Sequence, residues 1–283
     1  MASNARRRPQ ARTVVLDRAL EALPIFRLSD SSEDSVVTFT TDGGGRWRVL
    51  PAPGERLPGT FDQDVYVELL RRYHEAERPA DGALTFTLHA FLRSMGRRVD
   101  GRTYEQLRGA LMRLERTVLE SEGAWLDAKS GKSGHARFTL LSAVAIDRRR
   151  LTDRDQLALF PSLASNEPGD ARVVLAQQLR SNLAAGHSTS LVAPRYFELT
   201  SPVARRLYRL LEAVRGNSKG AWRVGLERLA ELLPLSQRYP SHLQRVLQPA
   251  HEMLVAAGIV ARAHFVQEGR VWSVEYDGEV PPP

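Results

Sequence analysis

Cysteine is absent from this 283-residue chain, and lysine occurs only at positions 129, 132 and 219. Without cysteine there is no disulfide framework, no thiolate zinc site and no thiol nucleophile. No apolar run approaches the ~20 residues that a membrane helix needs. Arg6, Arg7 and Arg8 are not followed by the 7–15-residue apolar stretch of a secretory signal. A cytoplasmic protein, neither spanning nor bound to a membrane, is therefore expected. A hydrophobic content of 42% with 26% charged residues suits a globular chain, and its length suits two domains of ordinary size.

Catalytic motifs are missing as well. Gly131-Lys132-Ser133 ends like a phosphate-binding loop, but Leu126 stands where that motif needs its first glycine. His135 takes the place of the last glycine of a serine nucleophile elbow around Ser133. His251-Glu252 begins like a zinc-protease helix, and Val255 replaces its second histidine. Asp62 and Asp64 stand at a helix start, where capping and the helix dipole account for them. No catalytic group, metal site or cofactor is expected. A DNA-processing enzyme such as a nicking nuclease would need clustered carboxylates, histidines or a tyrosine nucleophile, and the seven tyrosines and seven histidines are dispersed.

Positive charge, by contrast, is in excess. A net charge of +7 and a pI near 10.1 point to a polyanionic partner, because Lys and Arg that neutralise phosphates supply most non-specific nucleic-acid affinity. All but three of the 40 basic residues are arginine, a bias that a GC-rich genome produces whatever the function. The placement of the charges has to decide.

Residues 1–34 read as a disordered basic arm running into the polar stretch SDSSED. A first domain is expected over 35–147. It opens with the runs VVTFT and RWRVL around a DGGG turn, a hairpin pattern. The stretch FDQDVYVELLRRYHEA has Asp62 as N-cap and Val65, Leu69, Leu70 and Tyr73 on one helical face. A short strand and helix follow in ALTFTLHAFLRSMG, capped by Thr87 and ended at Gly96. The next helix places Leu107, Leu111, Leu114 and Val118 on one stripe, with Arg108, Arg113 and Arg116 off it. The segments WLDA and HARFTLLSAVAI, joined by KSGKSG, then read as a long hairpin.

The second half, 148–283, repeats this order. Helix SPVARRLYRLLEAVRG, strand AWRV and helix GLERLAELLPL precede a helix whose Leu243, Leu247, Ala250 and Leu254 repeat the earlier spacing. Pro249 is expected to kink or divide that helix. IVARAHFV and RVWSVEY, joined by QEGR, form a closing hairpin. Helix, helix, basic helix and hairpin is the order of a winged helix-turn-helix, whose third helix enters the major groove while the hairpin touches backbone or minor groove. The predicted fold is mainly α with small β-hairpins (α+β), as two tandem winged helix-turn-helix domains. The Pro/Ser/Asn/Gly-rich stretch between them is expected to act as a linker, with a strand in RVVLAQQL.

Candidate DNA contacts follow from that order, since Arg and Gln pair with guanine and adenine edges and the early turns of a reading helix reach the bases. On the first reader they are Arg97, Arg98, Arg102, Thr103, Gln106 and Arg108. On the second they are Arg238, Tyr239, Ser241, His242, Gln244, Arg245 and Gln248, with Gln244 and Arg245 pointing away from the core. Lys129 and Lys132 at the hairpin tip are expected to touch phosphates. Each could instead be an ordinary solvated side chain.

The stretches 57–72, 181–212 and 238–260 resemble the replication initiator protein A family. An Asn-Leu-x-x-Gly turn at Asn182 to Gly186 and an Arg-Arg-Leu-Tyr helix at Arg205 to Tyr208 carry the resemblance. His187 stands where that family often has an aromatic residue. The resemblance implies a plasmid or secondary-replicon initiator with two winged helices. Such a protein binds repeated double-stranded origin DNA, recruits host replication machinery (a helicase or initiator) and often represses its own gene as a homodimer. A transcriptional regulator of the same fold is the alternative; direct repeats beside the gene favour an origin, a lone inverted repeat a regulator. If phosphate neutralisation supplies the affinity, log K for any duplex should fall by ~0.9 per contacted phosphate per decade of salt. A fluorescence titration across salt concentrations checks this, and a flat response rules the DNA reading out.

Overall fold

The computed structural model describes residues 13–28, 36–146, 171–216, 220–237 and 239–278. Arg6 to Arg8, the SDSSED stretch, Arg148 to Arg150, the loop from Pro161 to Gly169 and Arg238 lie outside the described residues. The protein is a mixture of helix and sheet. Among the described residues no helix is long and apolar enough to cross a membrane.

The described part of the expected arm is built into the core. Strand β1 (Thr13–Asp17) pairs antiparallel with β9 (Ser188–Val192), from Thr13 opposite Val192 to Asp17 opposite Ser188. The short helix α1 (Arg18–Glu21) follows, with Asp17 accepting from the Ala19 and Leu20 amides. Val14, Leu16, Leu20, Leu23, Ile25 and Phe26 are all buried. Flanking arginines and an acidic tract masked this alternating apolar run, so the expectation of a disordered arm fails for residues 13–28.

A four-stranded sheet comes next, in the order β2 (Val37–Thr40), β3 (Arg46–Leu50), β5 (Val118–Asp127) and β6 (Lys132–Phe138). Gly45 and Gly123 meet where β3 and β5 shift register; a Cβ on Gly45 would stand 2.3 Å from the Gly123 carbonyl oxygen. Only glycine fits so close an approach.

The helices follow their apolar stripes. Helix α2 (Thr60–Glu75) is capped at Gly59, three residues before the predicted cap Asp62. Asp62 sits in its first turn and accepts from the Gly59 amide at 2.6 Å. After β4 (Ala83–Phe86), helix α3 (Leu88–Ser94) is capped by Thr87, and α4 (Gly101–Arg116) buries Leu107, Ala110, Leu111 and Leu114. The polypeptide then makes β5 and β6, β7 (Leu141–Ile146), β8 (Ala171–Leu175) and α5 (Gln177–Ala184). Beyond β9 come α6 (Ala193–Glu198), α7 (Pro202–Arg215), β10 (Trp222–Gly225), α8 (Leu226–Leu232), α9 (Pro240–Ala256), β11 (Ala263–Glu268) and β12 (Val271–Tyr276). Pro249 lies inside α9 without dividing it.

Two three-stranded sheets share one strand order, and the hairpin expected to close the first unit is in neither of them. The three-stranded sheets run β4-β8-β7 and β10-β12-β11, so in each the short strand pairs with the second strand of a hairpin. Leu84 lies opposite Val173 as Val224 lies opposite Val274. The closing hairpin of the first unit is therefore β7–β8. The β5–β6 hairpin with its lysine tip is an insertion that joins a different sheet. Strands β7 and β8, which flank the expected boundary near 147, pair antiparallel with Ile146 opposite Ala171.

The two units share one apolar core, and buried charge stitches their seam. Arg206 on α7 donates to the carbonyls of Glu21 and Leu23 at 2.8 and 2.9 Å. Arg209 lies 3.2 Å from the Glu21 carboxylate and donates to Gln63 of α2 at 2.9 Å. All three ionic side chains are about 1% exposed. Burial, reinforced by Arg209, pulls Arg206 down to about 9. Glu21→Ala would strand two buried cations and should cost about 3–5 kcal/mol of stability. Urea denaturation checks this, and a loss below ~1 kcal/mol would show that the seam does not depend on Glu21.

Candidate nucleic-acid interface

Helices α4 and α9 each follow a short helix; α4 leads into the β5–β6 hairpin and α9 into β11–β12. The residues around the start of α4 divide by what their side chains already do. Asp100 caps the helix, accepting from the Thr103 amide at 2.9 Å, while the Thr103 hydroxyl accepts from the Asp100 amide at 3.0 Å. That hydroxyl also donates to the Arg98 carbonyl at 2.8 Å. Thr103 is thus a capping residue. Arg97 is turned inward to Asp64 of α2, at 2.7 Å. Arg108 pairs with Glu105 at 2.6 Å and lies over the Tyr104 ring. Arg113 grips Asp62 through two nitrogens, at 3.1 and 2.7 Å. Arg98 is 88% exposed and 3.6 Å from Asp100. Arg102 and Gln106 face solvent, and Arg102 has no carboxylate partner among the described residues.

On α9, Leu243, Leu247, Ala250, His251 and Leu254 are buried. Tyr239 is 71% exposed and meets the His242 ring edge-on at 5.8 Å. Ser241, His242, Arg245 and Gln248 face solvent, and Gln248 donates to Glu252 at 2.9 Å. Arg245 has no ion-pair partner among the described residues. Gln244 corrects the expectation that it points away from the core: it is half-buried, and its Nε2 is out of solvent with no hydrogen-bond partner in the described structure.

Lys129 and Lys132 are exposed at the β5–β6 turn, with Gly131 in the left-handed region at φ 66°. Asn182 fixes the base of that hairpin. Its side-chain oxygen accepts from the Ala128 amide at 2.8 Å, and its nitrogen donates to the Leu126 carbonyl at 2.8 Å and to Asp17 at 2.9 Å. Trp125 also donates to Asp17, at 3.3 Å. Burial pushes the Asp17 carboxyl up to about 7 against the donors that surround it. An open cavity of about 600 Å³ lies between the hairpin and α5, lined by Lys129, Lys132, Arg137, Gln177 and Gln178.

The family model for replication initiator protein A matches residues 16–238. The chain belongs to that family. Two crystal structures of domains 2 and 3 of RctB are similar in fold. One has a TM-score of 0.58 and 13% identity, covering 94% of this chain and 99% of that one. The other has a TM-score of 0.52 and 11% identity, covering 93% and 97%. The Pi initiator protein in complex with iteron DNA has a TM-score of 0.56 and 14% identity, covering 98% and 100%. At these identities the likeness is one of fold. No curated protein matches the chain.

Within this family member, exposed arginines that the sequence reading did not single out include Arg137 and Arg270. Arg137 lies on β6, and Arg270 lies between β11 and β12; neither has a carboxylate partner among the described residues. Arg270 was legible in the QEGR turn, whereas Arg137 offered no local signal. No group of three or more histidines and carboxylates among the described residues could hold a metal ion.

His251 anchors α9 to its hairpin through Tyr276, at 2.9 Å. Burial pulls its ring down to about 4 from the ordinary 6.5. Its neutral form is thus favoured in the folded protein. Stability from this residue is present above pH 6.5 and lost as pH falls through 4, by up to about 3 kcal/mol. Asp17 acts oppositely over the same range, its contribution being lost as pH rises through 7. His251→Gln should flatten the His-dependent loss in urea melts taken from pH 7 to 4. An unchanged slope would sink this assignment.

Proposed function

We propose that this protein initiates replication of a plasmid or secondary replicon by binding repeats of double-stranded origin DNA through two tandem winged-helix units. In this reading α4 and α9 enter successive major grooves, while the hairpins β7–β8 and β11–β12 serve as wings. One observation carries it. Two helices that each follow a short helix and lead into a hairpin each keep one arginine free of carboxylates and facing solvent, Arg102 and Arg245, while most other arginines are tied to acidic partners. A guanidinium already paired has little charge left for phosphate or base; an unpaired one on an early helical turn is available to both. Family membership supports the same reading.

The proposed base contacts are Arg102 and Gln106 on the first helix, and His242, Arg245 and Gln248 on the second. Arg98, Tyr239, Ser241 and Arg270 suit phosphate contacts, and Arg238 is assigned the same role from its place in the sequence. Arg97, Thr103, Arg108 and Gln244 are left to their structural roles. Lys129, Lys132 and Arg137 form a separate cationic site on the inserted hairpin, suited to backbone phosphates. No catalytic step is needed. The protein would act in the cytoplasm, pass the origin to host helicase or initiator proteins, and repress its own gene as a homodimer.

Arg245→Ala should weaken binding to the true repeat ~5- to 150-fold, with random duplex nearly unaffected and the melting temperature unchanged. Replacing Lys129 and Lys132 together by alanine should weaken repeat and random duplex equally. Competition binding with the direct repeats beside the gene and a scrambled duplex separates these outcomes. Wild-type discrimination by Arg245→Ala would remove α9 as base reader.

A further inference from the structure

Asp64 touches both units at once. It lies on α2 with its side chain 2% exposed. One carboxylate oxygen takes Arg97 at 2.7 Å and also pairs with Arg205 of α7. The other accepts from the Tyr196 hydroxyl of α6 at 3.0 Å. Arg205 is itself fixed, donating to the Leu199 and Phe197 carbonyls at 2.7 and 3.2 Å. Arg97 stands four residues ahead of α4, and its amide donates to the Leu92 carbonyl at 2.9 Å. The lead-in to the first reading helix is therefore fastened, through a single buried carboxylate, to the helix that scaffolds the second unit.

We propose that Asp64 is a positioning residue that sets the spacing between the two half-sites this protein reads; the inference rests on the DNA-binding function proposed above. The chemistry is specific to this position. Glu21, Arg206 and Arg209 hold the seam at α1 and the middle of α7, whereas Asp64 alone reaches Arg97 at the mouth of α4. A charged pair holds direction as well as distance, because its hydrogen bonds constrain the guanidinium plane. One base pair inserted between half-sites moves the second by ~3.4 Å and ~34°. A clasped pair of readers cannot follow such a shift without breaking the Arg97–Asp64 pair, whose carboxylate is buried and whose guanidinium side chain is 39% exposed. An unclasped pair can, by pivoting the start of α4.

Asp64→Asn keeps an acceptor for Tyr196 and removes the charge that holds both arginines. Selection from a library of random duplexes, with thermal melting of each protein, tests the idea. The wild type should enrich two half-motifs at a single spacing, and a one-base-pair insertion should cost it on the order of 10-fold or more. Asp64→Asn should enrich the same half-motifs spread over several spacings, with the insertion penalty reduced to a few-fold. Arg97→Gln, which cuts only the first unit's end of the clasp, should behave alike and decides the matter if Asp64→Asn fails to fold. A single unchanged spacing in a variant that melts normally overturns the proposal, as does a wild type that tolerates many spacings. Failure of the wild type to enrich any motif overturns the DNA-binding function itself.

Discussion

Arg206 and Arg209 stand one turn apart on α7 with their guanidinium groups out of solvent, and the Glu21 carboxylate reaches both. Removing two cations from water is costly unless their donors are met, and here the terminal nitrogens are met while the Nε of each has no hydrogen-bond partner among the described residues. Here the carbonyls of Glu21, Leu23 and Leu232, the side chain of Gln63 and the rings of Phe26 and Tyr66 surround them. These partners come from α1, the segment after it, α2 and α8. The arrangement exists only when both units and the N-terminal segment are in place, so the apolar seam and the charged seam form together. The packing of α7 against α1 and α2 follows from that constraint, while the lead-in to α4 is held separately by Asp64.

The same principle sorts the positive charge of the whole chain. Composition alone presents forty basic residues, and many of those described act inside the protein. Arg113 holds α4 to α2 through Asp62, Arg71 and Arg72 share Glu68, and Arg228 packs over Phe39 while pairing with Asp42. A paired guanidinium contributes to positioning and little to the field outside. What remains for a polyanion is a smaller set, with members on α4, α9, the last hairpin and the inserted one beside Arg56 and Arg93. That set is better evidence for a binding face than the net charge, because a guanidinium without a carboxylate partner keeps its charge for an external phosphate.

The inserted β5–β6 hairpin shows how topology redirects a motif. Its Gly/Ser/Lys tip has the composition of a wing, yet β6 pairs only with β5 in a sheet completed by β2 and β3. Asn182 then fastens its base to α5 and β1 through the Ala128 amide, the Leu126 carbonyl and Asp17. The Asn-Leu-x-x-Gly turn that carries the family resemblance thus has a local physical purpose. It locks an insertion against the segment that opens the chain.

Periodicity by itself determined a good deal of this protein: the two amphipathic helices, their equivalent apolar stripes, the order of helices before them and the final hairpin. Those features depend on contacts between residues close in sequence, where side-chain spacing and capping decide. The structure alone decided which strands pair. Strand β4 finds β8 some 90 residues on, and β1 finds β9 across most of the chain, since any strand's edge groups accept any partner that the surrounding core brings near. It also decided which arginines are free. Arg97 and Arg102 stand five residues apart with the same side chain, and only the arrival of Asp64 from α2 separates an internal clasp from an exposed cation. Electrostatic partnership is set by distance in space, which local sequence does not encode.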